Sequence, residues 1–233
     1  MPSLTGAVVL VTGANGGIGT HFVHEALARG AARVYASARN PRAWDDERIV
    51  PLMLDVTDAA SIAAAVETAS DVTVLINNAG ANPPTASLLE VSEADLRANM
   101  EINFFGPVLL ARAFAPVLSA NTPGSTIIDI HSALSWYAVA GAYSASKAAL
   151  WSATNSLRLE LAPAGVHVGY VDTAMAAHAT EPKLDPAVLV ATVLDATEAG
   201  EYEVLADETS VHLKAALGAP LEAVYPQLQR TAG

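Results

Sequence analysis

The sequence predicts a single α/β domain built on a doubly wound parallel β-sheet. Three observations predict this fold class: apolar runs of strand length, helical segments that alternate with them, and a glycine-rich turn directly after the first strand. The 233 residues match the size of one domain, and 52% of them are hydrophobic, which is enough for a large core. No repeat, low-complexity tract or linker divides the chain, so residues 1–233 are assigned to one domain.

Each element follows from a local pattern. The apolar run at 7–11 is typical of a buried parallel strand, and residues 18–29 form a helical segment that Gly30 can cap. Pro107 predicts a kink in a later, long helix. The alternation predicts seven parallel strands in the order 3-2-1-4-5-6-7. The further strands are predicted at 33–36, 50–54, 71–76, 125–130, 166–170 and 202–205, and the further helices at 58–70, 92–118, 142–161 and 186–199.

Composition argues against several classes of protein. The formal net charge of −12 disfavours nucleic acid as a partner, because an acidic surface repels phosphate backbones. The chain has no cysteine, so it has no disulfide and no thiolate metal ligand, and no metal site is predicted. The apolar runs are interrupted before the roughly 20 residues of a membrane helix, so no membrane partner is expected. The early first strand leaves no room for a secretory signal, which predicts a cytoplasmic protein.

The turn Thr12-Gly13-Ala14-Asn15-Gly16-Gly17-Ile18-Gly19 lies between a strand and a helix. Glycines there permit positive φ, close approach of a pyrophosphate, and close packing of the helix on the strand. The backbone N–H groups at a helix start favour an anion. The turn therefore predicts a dinucleotide site whose members are Gly13, Asn15, Gly16, Gly17, Ile18 and Gly19.

The segment Tyr143-Ser144-Ala145-Ser146-Lys147 places a phenol and an ammonium one helical turn apart, on one face. A free tyrosine has a pKa of about 10, and a nearby ammonium lowers it by stabilising the phenolate. Tyr143 can then give a proton to a carbonyl or remove one from an alcohol. Together with the dinucleotide turn, the pair predicts hydride chemistry at a carbonyl or an alcohol.

With these residues the chain resembles a classical short-chain dehydrogenase/reductase, a family with a Rossmann-type fold. The resemblance covers residues 5–207, and its motifs occur in the family's order. They are TGANGGIG at 12–19, LDV at 54–56, NNAG at 77–80, Asn103, Ser132, YSASK at 143–147 and GYVDT at 169–173.

The resemblance implies a role for each motif. Ser132 would hold the substrate oxygen, Asn103 would hold a water in a proton relay to Lys147, and Lys147 would also bind the nicotinamide ribose. With Tyr143 these residues form the expected catalytic set. The implied cofactor contacts are Asp55 and Val56 at the adenine, Asn78, Ala79 and Gly80 beside the cofactor, Val171 and Thr173 at the carboxamide, and Tyr143 and Lys147 themselves.

Cofactor choice is predicted by the residues after the second strand. Ala38 stands where NAD-dependent enzymes usually carry an acidic residue, and Arg39 follows it. A 2′-phosphate would meet no carboxylate there and would find a planar cation. We therefore expect NADP(H) to be preferred, with NAD(H) as the second choice. The glycine turn adds no basic residue, since Asn15 and Gly16 are neutral.

The expected substrate is a small or medium apolar ketone, aldehyde or secondary alcohol. Three variable segments, 81–91, 135–142 and 174–185, are expected to border it. Ser135 is a rival to Ser132, and His131 is expected to support the site without acting in catalysis. A homodimer or homotetramer is expected through helices 92–118 and 142–161, whose small residues permit close approach. The expected substrate contacts are Ser132, Leu134, Trp136, Tyr137 and Met175.

Two segments are shorter than the family's pattern. The loop from Ser132 to Tyr143 is about two residues short, and the stretch from Lys147 to Gly169 is about five residues short. The second shortening leaves three alternatives: an early helix end, a short sixth strand, or residues missing from the sequence. The shortenings also keep a second function open, a cofactor-binding redox sensor without turnover, although a sensor needs no acid/base pair.

Overall fold

Seven parallel strands form one sheet in the order β3-β2-β1-β4-β5-β6-β7. The computed structural model describes residues 3–121, 124–172 and 185–228, with the side chain of Asp172 left out. The predicted fold class and strand order are confirmed. The strands are β1 Val8–Thr12, β2 Arg33–Ala38, β3 Ile49–Met53, β4 Val74–Asn77, β5 Thr126–Ile130, β6 His167–Asp172 and β7 Glu203–Leu205.

Helices cover both faces of the sheet, because successive residues of a buried strand point to opposite sides. Val9 and Val11 pack with the first and sixth helices of the chain, whereas Leu10 packs with the second, fourth and fifth. Both clusters are buried, and each fully buried Leu or Phe contributes about 1.5–3 kcal/mol. The helices are α1 Gly17–Ala28, α2 Ala59–Thr68, α3 Glu93–Met100, α4 Gly106–Ala120, α5 Ala142–Leu161, α6 Pro186–Ala199, α7 Glu208–Ala215 and α8 Leu221–Val224.

The long helix around Pro107 contains a wider turn where the sequence predicts a kink. Residues Glu101–Phe105 form a π-helical segment between α3 and α4, and the Gly106 N–H donates to the Glu101 carbonyl five residues back. Proline has no N–H, so Pro107 cannot make the ordinary helical bond to the carbonyl of Asn103. The wide turn places Asn103 in the protein interior, where it is fully buried.

The helical rod Glu93–Ala120 corresponds closely to the predicted helix 92–118, but it is more apolar than the sequence analysis expected. It has 28 residues, and an 18-residue window within it has a mean hydropathy of 1.4, which is enough, by length and composition alone, for a membrane span. The expectation that no stretch reaches such a length was wrong. Leu110, Phe114 and Leu118 on this rod are at most 1% exposed and pack against the sheet, as in the core helix of a globular domain.

The short connection between α5 and β6 is a tight turn. The helix reaches Leu161, as predicted, and residues Ala162–Ala164 form one 3₁₀ turn. Gly165 then adopts φ of 74°, a left-handed conformation that glycine tolerates, and β6 follows directly with six residues. Neither an early helix end nor a short sixth strand is therefore needed to explain the missing length.

Candidate active site at the carboxyl ends of the strands

The glycine turn after β1 has the close packing that its sequence predicts. Gly13 and Gly17 adopt φ of 66° and 54°, which disfavour any side chain. A Cβ on Gly19 would lie 2.3 Å from the carbonyl oxygen of Gly13, so only glycine lets α1 approach the turn this closely. These contacts fix the start of α1 directly at the end of β1.

The start of α1 fits an anionic group. Gly16 precedes the helix with extended backbone, and among the described residues no side chain caps the first N–H groups. Apart from its chain neighbours and the helix backbone, a Cβ on Gly16 or Gly17 would meet no atom of the described residues within 4 Å, so this part of the structure leaves space beside the turn. Unfilled space beside the N–H groups of a helix start suits the pyrophosphate of a dinucleotide.

Asn15 links this turn to the segment after β2. Its side-chain amide donates to the carbonyl of Asn40 at 2.7 Å and accepts the N–H of Arg42 at 3.2 Å. The neutral residue in the glycine turn therefore shapes the segment that carries Arg39. Arg39 is exposed, and its positive charge interacts with the carboxylate of Asp55, two residues after β3.

Asp55 and Val56 are held in defined positions next to Arg39. The backbone N–H and hydroxyl of Thr57 donate to Asp55 at 2.9 and 2.7 Å and, with the charge of Arg39, keep the pKa of this carboxyl below its usual value. Val56 is buried against Gly106, where a Cβ would come within 3.0 Å of it. Asp55 therefore remains an acceptor at neutral pH, the state in which it can bind an amino group.

The NNAG motif joins β4 to the glycine turn. The hydroxyl of Thr12 accepts the N–H groups of both Asn78 and Ala79 at 2.9 Å. The Asn78 amide donates back to the Thr12 carbonyl at 2.8 Å. The two strand ends that border the reversal of strand order are thus fixed to each other, which is where doubly wound sheets bind ligands.

Asn103 connects two further elements beside Gly80. Its Oδ1 accepts the N–H of Ala81 at 2.9 Å, and its Nδ2 donates to Ser146 on α5 at 3.1 Å. A Cβ on Gly80 would lie 3.3 Å from Asn103 Oδ1 and 3.9 Å from Lys147 Nζ. The side chain thus bonds the segment after β4 and α5, and the expected neighbourhood of Asn103 and Lys147 is present.

Tyr143 and Lys147 lie on the buried face of α5, and each is 4% exposed. The Lys147 ammonium lies 5.9 Å from the centre of the Tyr143 ring and donates to the carbonyl of Ile130 at 2.7 Å. Burial of both groups beside one another strengthens their electrostatic interaction. This arrangement can stabilise a phenolate and support proton transfer.

Ser132 lies two residues after the end of β5, close to the Ile130 carbonyl that Lys147 binds. It is fully buried, and its hydroxyl oxygen accepts the N–H of Leu134 at 3.2 Å. The rival Ser135 is 8% exposed, and its hydroxyl has no hydrogen-bond partner in the described part of the chain. Ser132 therefore has the more defined position, at the end of the strand to which Lys147 binds.

A buried polar network that the sequence reading missed lies behind Ser132. Asp129 accepts from Asn77 Nδ2 at 2.8 Å and from the Thr154 hydroxyl at 2.6 Å, and His131 Nε2 lies 3.0 Å from the same hydroxyl. Burial raises the pKa of Asp129, and burial together with the Lys147 charge lowers the pKa of His131 well below its usual value. These contacts tie His131 to α5, in keeping with its expected supporting role.

The expected substrate contacts are only partly described. Trp136 is 8% exposed and packs edge-on against Trp151, with ring centres 6.4 Å apart. Most of its side chain is therefore buried. Leu134 and Tyr137 are half-buried. The Val171 carbonyl accepts the N–H of His131 at 2.9 Å. Thr173, Met175 and the rest of segment 173–184 lie outside the described residues.

The comparisons with known proteins agree with this fold. The family model of the short chain dehydrogenases matches residues 7–184, and the chain therefore belongs to this family. A solved structure of a short chain dehydrogenase from Burkholderia cenocepacia J2315, in complex with NADP, superimposes with a TM-score of 0.87 at 35% identity. It covers 98% of this chain, and this chain covers 100% of it.

Two curated relatives are similar over about 70% of the chain. Short-chain dehydrogenase PC-15 of Penicillium crustosum is 37% identical over 175 residues, which are 69% of this chain and 62% of that protein. The NADPH-dependent 1-acyldihydroxyacetone phosphate reductase of Schizosaccharomyces pombe is 36% identical over 176 residues, 71% of this chain and 58% of that protein. The chain thus spans less than two thirds of the length of these relatives.

Proposed function

We propose that this chain is an NADPH-dependent oxidoreductase. It would transfer a hydride between the nicotinamide and a small or medium apolar ketone, aldehyde or secondary alcohol. The observation that carries the proposal is the buried Tyr143–Lys147 pair, which is bonded through Ile130 to the strand end before Ser132. A protein that only sensed the cofactor would not need a buried acid/base pair beside a hydroxyl.

The choice of cofactor is supported independently. The glycine turn fits a dinucleotide, and Arg39 is exposed at the edge where the adenosine ribose would lie. The Burkholderia structure holds NADP, and the relative from Schizosaccharomyces pombe is NADPH-dependent. NADP(H) is therefore the preferred cofactor, and NAD(H) is the alternative.

The proposed reaction assigns one task to each side chain. When bound at the glycine turn, the cofactor would supply the hydride in reduction and would take it up in oxidation. The Ser132 hydroxyl orients the substrate oxygen, and the Tyr143 hydroxyl donates a proton to it in reduction or removes one in oxidation. The Lys147 ammonium stabilises the Tyr143 phenolate, and the buried position of both groups keeps water away from them.

The apolar and aromatic character of the loop after Ser132 supports an apolar substrate. Leu134, Trp136 and Tyr137 belong to this loop. The nearby cation Lys214 is already paired with Glu203. A charged acyl or phosphate group would find little complementary charge among these residues.

The decisive experiment follows NADPH absorbance while the protein meets a panel of ketones and aldehydes of increasing size, with charged analogues included. We expect oxidation of NADPH by apolar carbonyls and slower oxidation of NADH. Cofactor binding without turnover of any carbonyl or alcohol would favour the redox sensor. Efficient turnover of charged substrates alone would contradict the substrate class and leave the reaction type intact.

A homodimer or homotetramer built on α4 and α5 is part of the proposal. Small half-buried residues such as Ala113 and Ala153 lie on these helices, and Leu159 of α5 is 77% exposed. Small residues allow two helices of different subunits to approach closely. Light scattering at micromolar protein concentration tests this, and the mass of one chain would contradict it.

A further inference from the structure

We infer that Tyr225, near the C-terminal end of the described chain, is a positioning residue for the substrate site. The inference rests on the proposed function and deepens it. The segment in question is the loop 133–142, here called the substrate loop, which joins Ser132 to Tyr143. Tyr225 lies directly after α8, far from this loop in sequence, and sequence reasoning gave it no role.

Two contacts connect Tyr225 to consecutive residues of the substrate loop. Its ring stacks on the ring of Tyr137, with centres 5.3 Å apart and planes 9° apart. Its hydroxyl accepts the backbone N–H of Ala138 at 3.0 Å. One side chain thus fixes both the direction of Tyr137 and the backbone beside it.

The opposite side of the same loop is held by the catalytic helix. Ser144, next to Tyr143 on α5, donates to the carbonyl of Tyr137 at 3.0 Å and accepts the N–H of Ala140 at 3.2 Å. Tyr137 is therefore bound at its carbonyl by α5 and at its ring by Tyr225. A change at the ring is transmitted over a few bonds to the helix that carries Tyr143.

The C-terminal residues that carry Tyr225 are anchored to the sheet before they reach the loop. Asp207 caps α7 by accepting the Ser210 N–H at 2.7 Å, and Ser210 is fully buried. Lys214 of α7 pairs with Glu203 of β7, and its ammonium lies 5.7 Å from the centre of the Trp136 ring. Tyr225 is therefore presented to the loop from a fixed base.

The shortness of the loop gives this contact its importance. The substrate loop has few residues of its own with which to form a wall, and Gly141, near its end, lies against segment 81–91. A Cβ on Gly141 would come within 2.3 Å of the Ala86 carbonyl oxygen. The end of the loop near Gly141 is packed tightly. The position of the part around Tyr137 therefore depends on its contacts with Tyr225. Tyr225 would thereby set which substrates fit beside Ser132.

The test compares Tyr225→Ala and Tyr225→Phe with Tyr202→Ala as a matched control. Tyr202 also forms a stacked pair, with His167 at 4.9 Å, but it lies at the β6–β7 edge. Steady-state kinetics with a small and a bulky ketone are measured for each protein, beside an NADPH titration. For Tyr225→Ala we expect kcat/KM to fall about 10- to 100-fold, mostly through KM, because a displaced wall misplaces the substrate. The ratio of the two ketones should change, and NADPH affinity should not.

Amide hydrogen exchange at Ala138 provides a readout that needs no activity. The Ala138 N–H should be protected in the wild-type protein and in Tyr202→Ala, and it should exchange faster in Tyr225→Phe, which keeps the stacked ring and loses the acceptor. An unprotected wild-type amide, or the same kinetics in Tyr225→Ala as in Tyr202→Ala, overturns the inference. A wild-type protein that turns over no carbonyl instead contradicts the proposed function, and the exchange result still decides whether Tyr225 holds the loop.

Discussion

The ammonium of Lys147 donates a hydrogen bond to the backbone carbonyl of Ile130 at 2.7 Å. This bond connects the N-terminal part of α5 with the end of β5. Tyr143 lies one helical turn before Lys147, and Ser132 lies two residues after Ile130. This single contact therefore sets the distance between the Tyr143 side and the Ser132 side of the candidate active site.

Tyr143→Phe should abolish most of the activity. The substitution keeps the buried ring and removes the transferable proton, so the rate should fall by about 10²–10⁴, the contribution of general acid–base catalysis. NADPH affinity should survive, because Lys147 and the glycine turn remain. Turnover and a cofactor titration are measured together. Near-normal turnover would mean that another group supplies the proton.

Lys147→Ala, by contrast, should reduce both turnover and cofactor affinity.

Ser132→Ala and Ser135→Ala form a matched pair, since both remove one hydroxyl within the same short region. Ser132→Ala should lower kcat with unchanged cofactor affinity, because Ser132 is fully buried and lies two residues after the end of β5. Ser135→Ala should keep most of the activity. The measurement is kcat and KM with the best ketone. A larger loss for Ser135→Ala would reverse the assignment of the two serines.

Arg39→Ala should weaken NADPH binding by about 1–3 kcal/mol, the scale of one charge-assisted contact to a phosphate. NADH binding should change little, because NADH has no 2′-phosphate. Arg48→Ala is the control, since Arg48 is exposed but already paired with Asp46 at 2.6 Å. Titrations of both cofactors against the three proteins check this. Equal losses for NADPH and NADH, or a wild-type preference for NADH, would contradict the role of Arg39.

Gly19→Ala should destabilise the protein more than Gly16→Ala. The new methyl group at position 19 would lie 2.3 Å from the Gly13 carbonyl oxygen, whereas at position 16 it would meet no side chain or distant backbone of the described residues within 4 Å. Forcing an extra methyl group into a packed site costs about 1–3 kcal/mol. Urea unfolding of both variants measures the difference. Equal midpoints would show that the approach of α1 to the turn tolerates a side chain.

The stability of the protein should fall below pH 6.5 because of His131. Burial and the Lys147 charge lower the pKa of His131 well below 6.5, so below that pH the unfolded chain binds a proton that the folded chain does not. Between pH 7.5 and 5.5 this linkage costs about 1 kcal/mol of unfolding free energy.

The measurement compares urea unfolding of wild type, His131→Gln and His212→Gln at both pH values. His131→Gln should show a smaller loss of stability between pH 7.5 and 5.5, whatever its absolute stability. His212 is exposed on α7, and its replacement should leave the wild-type loss in place. The raised pKa of Asp129 acts in the opposite direction, because the folded chain binds this proton more tightly than the unfolded chain and its contribution to stability is lost as the pH rises. Parallel pH curves for wild type and His131→Gln would refute the linkage.

The sequence by itself determined the architecture and the main chemical groups of this protein. The apolar runs, the glycine turn and the Tyr143–Lys147 spacing are local patterns, and each follows from a constraint that acts within one element. Strand burial requires apolar side chains, positive φ requires glycine at Gly13, and residues four apart share a helix face. Seven strands in the expected order and a buried tyrosine–lysine pair agree with those local constraints.

The tertiary structure alone decided which distant side chains support the site. The Ala138–Tyr225 bond joins positions 87 residues apart, and the Thr154–Asp129 bond joins positions 25 residues apart. No periodicity or turn chemistry relates such positions, because hydrogen bonds across elements depend on how helices pack on the sheet. Asn15 is the clearest single case. In the sequence it is only a neutral residue in a glycine turn that adds no basic side chain. In the folded protein its side chain holds the segment that carries Arg39.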